Sequence, residues 1–305
     1  MSRHRTTGLF LVLAVAWGSA FVAIDAGLAH LPPVLFAAVR YDIAGLLMLA
    51  YAAYAVDDPI PRGRAEWATV AVGATFIIAA YHAFLFVGQQ HTTAAAAAVL
   101  VSLSPVLTTG FARVLVPQDA LSPVGVLGVG IGLLGVIVMA NPDPADLLAT
   151  DTVANLLVFA AAAAFALGSV LTRWVDTPNF SIETMEAWSM LGGAALLHLV
   201  SLAIGESFAL EAWTHPEAVG AIIYLAVVAS AIGFLIYFVL LERLGAVEIN
   251  MVSYVAPVVA AIVGWFYLGQ TVDETLIFGF VCIFTAFVLV KRRSIRRALR
   301  GRSGR

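Results

Sequence analysis

The sequence predicts an all-α integral membrane protein of about ten transmembrane helices, arranged as two inverted five-helix repeats. Three observations predict it. Hydrophobic residues make up 62% and charged residues 11% of the 305 residues, and the mean hydropathy of +0.97 lies outside the soluble globular range. The charges gather in short clusters between apolar runs of about 18 to 25 residues, each long enough to span a bilayer. A proline-centred pattern in the first half recurs in the second, 152 residues later.

The spans follow in order. The first, about 8–30, succeeds the basic head "MSRHR"; it is too long for a signal peptide and more spans follow it. The second, about 33–56, starts after "LPP", and the third, about 66–88, after "DDPIPRGR". The fourth, about 92–115, contains Pro105, and "VPQDALSP" separates it from the fifth, about 122–140. "NPDPAD" introduces the sixth, about 152–174, and "VDTPN" the seventh, about 182–204. The eighth, about 216–241, follows "GESFALEAWTHPE"; the ninth, about 247–268, contains Pro257; and "GQTVDE" precedes the tenth, about 273–291. Such short connections imply that consecutive helices are antiparallel neighbours.

Basic residues orient the chain, because Lys and Arg are retained on the cytoplasmic side of short loops. With both termini cytoplasmic in the plasma membrane, Arg3, Arg5, Arg62, Arg64, Arg113, Arg173, Arg243 and the basic tail of 292–305 lie inside, and the outer loops contain no Lys or Arg. Arg40 is the exception. The tail suits an anionic leaflet surface. A net charge of -3 argues against nucleic acid, and the single Cys282 excludes an intrachain disulfide and a thiolate metal site.

The repeat aligns Ala98, Ser102, Pro105, Thr109 and Ala112 with Asn250, Tyr254, Pro257, Ala261 and Gly264; more weakly, "WGSAF" at 17 aligns with "LGSVL" at 167. Five spans per unit, an odd number, invert the second unit relative to the first. Each proline frees a carbonyl, that of Val101 or Ser253, which hydrocarbon cannot satisfy. The two prolines are therefore expected near the midplane, facing an interior or a water-filled cavity. The simpler alternative is a packing kink repaired by Ser102, Ser104 or Thr108.

Ionisable groups within spans are costly and mark function. Arg40 lies about 10 Å into the second span at 1.5 Å per residue, and Asp25 lies at a similar depth in the first. The two are candidates for a helix-joining pair, or for substrate carboxylate recognition by Arg40 and proton coupling by Asp25. His82 beside Tyr81 is either a titrating pathway residue or a hydrogen-bonded packing residue. Glu186 is a weaker candidate for the inward pathway, and Asp42 and His198 read as structural. Trp17, Phe21, Ser230, Tyr237, Asn250 and Tyr254 supply aromatic and hydrogen-bonding surfaces for a small ligand, although Gly and Ser also serve helix packing.

The duplicated unit, "AWGSAF" at 16–21, the P-x6-R of "PVLFAAVR" at 33–40, and two "P-V" kinks followed by "LVPQD" and "YLGQT" resemble the EamA family of the drug/metabolite transporter superfamily. The resemblance covers two units, 8–141 and 152–291. Where the family motif ends its fourth and ninth helices in Gly-Glu, this chain has Pro117-Gln118 and Gly269-Gln270. The resemblance implies a ten-helix secondary transporter, often an exporter of amino acids or other small metabolites, working by alternating access. Its partners are then a small-molecule substrate, a coupling proton or ion, and the bilayer.

Two other classes compete. A membrane-embedded enzyme would need a nucleophile, base or metal set, and no GxSxG, HExxH, intramembrane carboxylate pair or phosphate loop is present. A channel would want repeated polar rings. No cofactor or metal is expected, and without a P-loop direct ATP coupling is not expected either.

Overall fold

The computed structural model describes residues 3–115, 123–140, 148–175, 177, 180–244, 249 and 251–302, and their regular structure is entirely helical. Asn250, Pro117 and Gln118 lie outside the described residues. The principal helices are α1 (Arg3–Leu28), α2 (Pro33–Ala55), α3 (Arg64–Gln89), α4 (Ala94–Leu115), α5 (Pro123–Ala140), α6 (Thr150–Trp174) and α7 (Ile182–Ala203). α8 runs through Pro216–Ile223, Tyr224–Ile232 and Gly233–Leu244, and is followed by α9 (Val252–Leu268) and α10 (Glu274–Arg302). Among the described residues nine helices are long and apolar enough to cross a membrane, and α9 is a shorter apolar helix of 17 residues. The chain is a multi-pass membrane protein of about ten spans.

Helix packing has a hidden regularity. α1 packs on α8 and α9 while α6 packs on α3 and α4; α2 meets α8 while α7 meets α3; and α2 pairs with α7, α4 with α9, α5 with α10. Exchanging every helix for the one five places along leaves this pattern unchanged. Directions reverse in the exchange: Gln270, just past the end of α9, bonds Ala94 at the start of α4, and Thr92 before α4 bonds Asn155 at the start of α6. The inverted repeat thus appears as interleaving, and consecutive helices are not always close neighbours. α1 and α2 barely touch.

α3 and α8 carry π-helical segments at repeat-related places, Gly73–Ala80 and Tyr224–Ile232, whose starts are 151 residues apart. Such segments are uncommon and concentrate at functional sites. Small residues bring α5 and α10 together: a Cβ on Gly135 would lie 2.9 Å from Cys282 Cβ, and one on Gly279 would collide with Met139 Cγ.

The two prolines differ. α4 breaks between Ala94–Val101 and Ser104–Leu115, and the Val101 carbonyl freed by Pro105 accepts a bond from Ser104 Oγ at 2.7 Å. Ser102 Oγ donates to Val99 O, Thr108 Oγ1 to Ser104 O and Thr109 Oγ1 to Pro105 O. The carbonyl expected to face a cavity is therefore satisfied inside its own helix, because a serine one residue before the proline is within reach. Pro257 lies inside an unbroken α9, five residues after its start, about 8 Å along the axis rather than midway. The half of α4 that meets α9 is Ala94–Val101; the half carrying Pro105 packs on α6.

Candidate functional site

α2 starts on Pro33, whose missing N–H is no loss at a helix start, and buries Arg40 and Tyr41 to 6% and 2% exposure. Arg40 Nη2 donates to Ser230 Oγ at 3.2 Å, from the first half to the π segment of α8. The guanidinium carbon sits 4.9 Å from the centroid of the Tyr41 ring, and Nε is buried without a partner. Among the described residues Arg40 forms no ion pair. A buried cation in that condition is expensive, and an arriving anion would relieve the cost.

Tyr41 joins Arg40 to the other π segment. Its hydroxyl lies 2.7 Å from His82 Nε2, and His82 Nδ1 lies 2.8 Å from Ile78 O. A carbonyl only accepts, so Nδ1 carries hydrogen and Nε2 is free to accept from the Tyr41 O–H. One polar chain therefore runs from Ser230 in α8, through Arg40 and Tyr41 in α2, to His82 and Ile78 in α3. His82 and Ser230 are buried as well.

Trp17 reaches the same place from α1. Its Nε1 donates to Ala229 O at 3.0 Å, next to the residue that Arg40 holds, and its ring packs on Phe234 and Tyr237 with centroids at 6.0 and 5.5 Å. Gly233 makes this possible, since a Cβ there would lie 2.9 Å from Trp17 Nε1. Ile78 and Ala229 are themselves 151 residues apart, so corresponding carbonyls of the two π segments each accept a ring N–H. Glu186 on α7 stands close enough to act electrostatically on both Tyr41 and Tyr237.

A second constellation closes the end of the bundle at which α1 terminates, the Leu28 end. Asp25 accepts from Gln270 Nε2, and Gln270 Oε1 accepts from Ala94 N at 3.2 Å. Glu206 accepts from Val34 N and Leu35 N at 2.9 and 2.7 Å, holding the first turn of α2, and His30 pairs with Glu217 at 2.8 Å. Each tie joins the first half to the second. At the opposite end the corresponding described ties are Thr184 Oγ1 to Asp58 O and Trp188 Nε1 to Pro59 O. Cavities of about 260 and 430 Å³ lie at repeat-related seams, between α3 and α6 at the Leu28 end and between α1 and α8 at the other.

The residues singled out in the sequence thus divide. Trp17, Arg40, His82, Ser230 and Tyr237 converge. Asp25 belongs to the Leu28 end, and it does not meet Arg40: it is one turn from the end of α1, Arg40 is two turns into α2, and those helices barely touch. Phe21 is buried, and its carbonyl accepts from Gln89 Nε2. Ser102 and Thr109 bond their own helix, and Tyr254 packs on Phe284 and Phe287 of α10 with its hydroxyl unpartnered. Tyr41 emerges only from the structure, as do the bonds that Gln270 makes to Asp25 and Ala94 and a half-exposed pair between Asp42 and His198 at 2.7 Å. That polar partner on α2 holds His198 at the α2–α7 seam, a structural role.

Known proteins place this architecture. A solved crystal structure superposes with a TM-score of 0.64 over 97% of this chain and 99% of its own, at 22% identity, a likeness of fold. The chain is 27% identical over 285 residues to the uncharacterized inner membrane transporter YedA of Escherichia coli K12, covering 93% of this chain and 89% of that one. It is 25% identical over 294 residues to the uncharacterized transporter YvbV of Bacillus subtilis, covering 96% and 94%. With the WAT1-related chloroplastic protein At3g02690 of Arabidopsis thaliana it shares 25% identity over 90% of this chain, and it spans 66% of that protein's length. The model of the EamA-like transporter family matches residues 6–141 and 152–292, so a transporter's scaffold holds the buried Arg40 network, and the chain belongs to the EamA-like transporter family.

Proposed function

We propose that the protein is a secondary transporter that recognises the carboxylate, or an equivalent oxyanion, of a small metabolite at Arg40. The observation that carries this reading is the buried guanidinium with an unpartnered Nε and no ion-pair partner among the described residues. Trp17, Phe234 and Tyr237 offer the neighbouring apolar surface, which suits an amino acid or a similar zwitterion better than a bare inorganic anion. Arg40 touches α8 of the other half, so movement of one half against the other makes or breaks the site, as alternating access requires. The ties at the Leu28 end favour a conformation shut on that side.

In this reading residues 8–141 and 152–291 are the moving units, 292–305 is a basic tail, both termini are cytoplasmic, and the membrane is the plasma membrane. The Leu28 end is then external and the direction is export, driven by an ion gradient or by exchange. The deciding experiment is a metabolite efflux profile of cells expressing the protein beside an Arg40→Ala control, with the leading solute reconstituted in liposomes. Wild type should deplete carboxylate-bearing solutes and Arg40→Ala should not. An identical profile for both overturns the role of Arg40, and no flux in liposomes under any imposed pH, sodium or substrate gradient overturns transport.

A further inference from the structure

One cluster at the Leu28 end plays no part in that site. His30, in the connection from α1 to α2, and His215 and Glu217, at the start of α8, bring their ligand atoms within 4.8 Å of one another. His30 Nε2 lies 2.8 Å from Glu217 Oε2, and the two imidazoles stack with centroids 3.8 Å apart at 22°. The main chain beneath is fixed. His30 N and Leu31 N both bond Gly27 O, Pro32 and Pro33 follow, and His215 is the N-cap residue of α8 with Pro216 in the first turn.

A single ion pair would need one imidazole; here a second one stacks against the first beside the same carboxylate. We propose that His30, His215 and Glu217 form a binding site for a divalent transition cation of the zinc type. Two imidazoles and one carboxylate are a common donor set for such ions, with water in the fourth position. Calcium and magnesium prefer oxygen ligands and would find one carboxylate. Metal–ligand distances of about 2.0–2.2 Å place donors about 3.3 Å apart. His215 and Glu217 are exposed, so closing the present spacing of up to 4.8 Å asks for rotation of surface side chains. The ion would bind the α1–α2 connection of the first half to α8 of the second, and so clasp the Leu28 end shut. That consequence for transport rests on the reading above; binding itself does not.

The test is calorimetric titration of tag-free protein in detergent with zinc chloride. One zinc per chain is expected, at micromolar affinity. His215→Ala should weaken it at least tenfold, the His30→Ala/His215→Ala pair should abolish it, and His91→Ala should leave it unchanged. Zinc should also raise the melting temperature of wild type and not of the double variant. Absence of saturable binding, or equal binding by the double variant, overturns the site, and neither result depends on flux.

Discussion

Removing Glu206 should open the Leu28 end. Its half-buried carboxylate accepts two backbone N–H groups of α2 at 2.9 and 2.7 Å, and the negative charge also faces the positive end of the helix dipole. Hydrogen bonds to an ionised acceptor contribute about 1.5–3 kcal/mol each in a dry setting. Water reaches this rim and replaces part of what is lost, so a net of about 2 kcal/mol is the better figure, roughly thirtyfold in the ratio of open to closed chains. The assay is thiol accessibility. In a Cys282→Ala background, Phe21→Cys introduces a buried thiol below the ties, and an impermeant maleimide applied from the Leu28 side reports its exposure. Glu206→Ala should speed labelling about thirtyfold, while Glu66→Ala, remote from that end, should not. An unchanged rate would refute the view that these contacts hold the halves together.

Three further outcomes follow from the same geometry. Trp17→Phe leaves the Ala229 carbonyl without its donor at 3.0 Å and should cost about 1–3 kcal/mol, read as a lower melting temperature of the purified protein; an unchanged melt refutes the contact. Gly233→Ala puts a Cβ 2.9 Å from Trp17 Nε1, so it should destabilise by about 1–3 kcal/mol. Combined with Trp17→Phe its cost should be less than additive, and full additivity would separate the two residues. Tyr41→Phe removes the hydroxyl that satisfies His82 Nε2 at 2.7 Å and should cost about 1–3 kcal/mol by denaturation midpoint, with no loss meaning that the pair is not formed.

Span count and inversion were legible because they rest on local properties. Apolar runs, loop punctuation and the arginine distribution need no knowledge of neighbours, and the recurrence of Pro105 at Pro257 identified the duplication. The site was only half legible. Arg40, Trp17, His82 and Ser230 are noticeable because ionisable and aromatic groups inside spans are conspicuous one at a time. Their connections are not, since Tyr41 meets His82 across 41 residues and Trp17 meets Ala229 across 212. Asp25 and Arg40 form a natural pair only where consecutive spans are neighbours, whereas interleaved repeats put α1 against α8 and α9. Nor does either π segment stand out: "GATFIIAA" and "YLAVVASAI" are ordinary apolar helix sequences.

The symmetry of the backbone makes the asymmetry of the decoration informative. Corresponding carbonyls at Ile78 and Ala229 each accept a ring N–H, yet the first is capped from its own helix by His82 and the second from across the halves by Trp17. A cap within one helix travels with that helix and is indifferent to how the halves sit. The Trp17 bond, like the Arg40–Ser230 bond beside it, survives only while α1 and α2 stay registered on α8. If the two halves rock against each other, the α3 π segment keeps its cap and the α8 π segment exposes a bare carbonyl and a hydroxyl next to an unpaired guanidinium. Donor, acceptor and cation are the complement of a zwitterion. The segment that the fold duplicates would then serve as a fixed pivot in one half and as the substrate-dependent contact in the other.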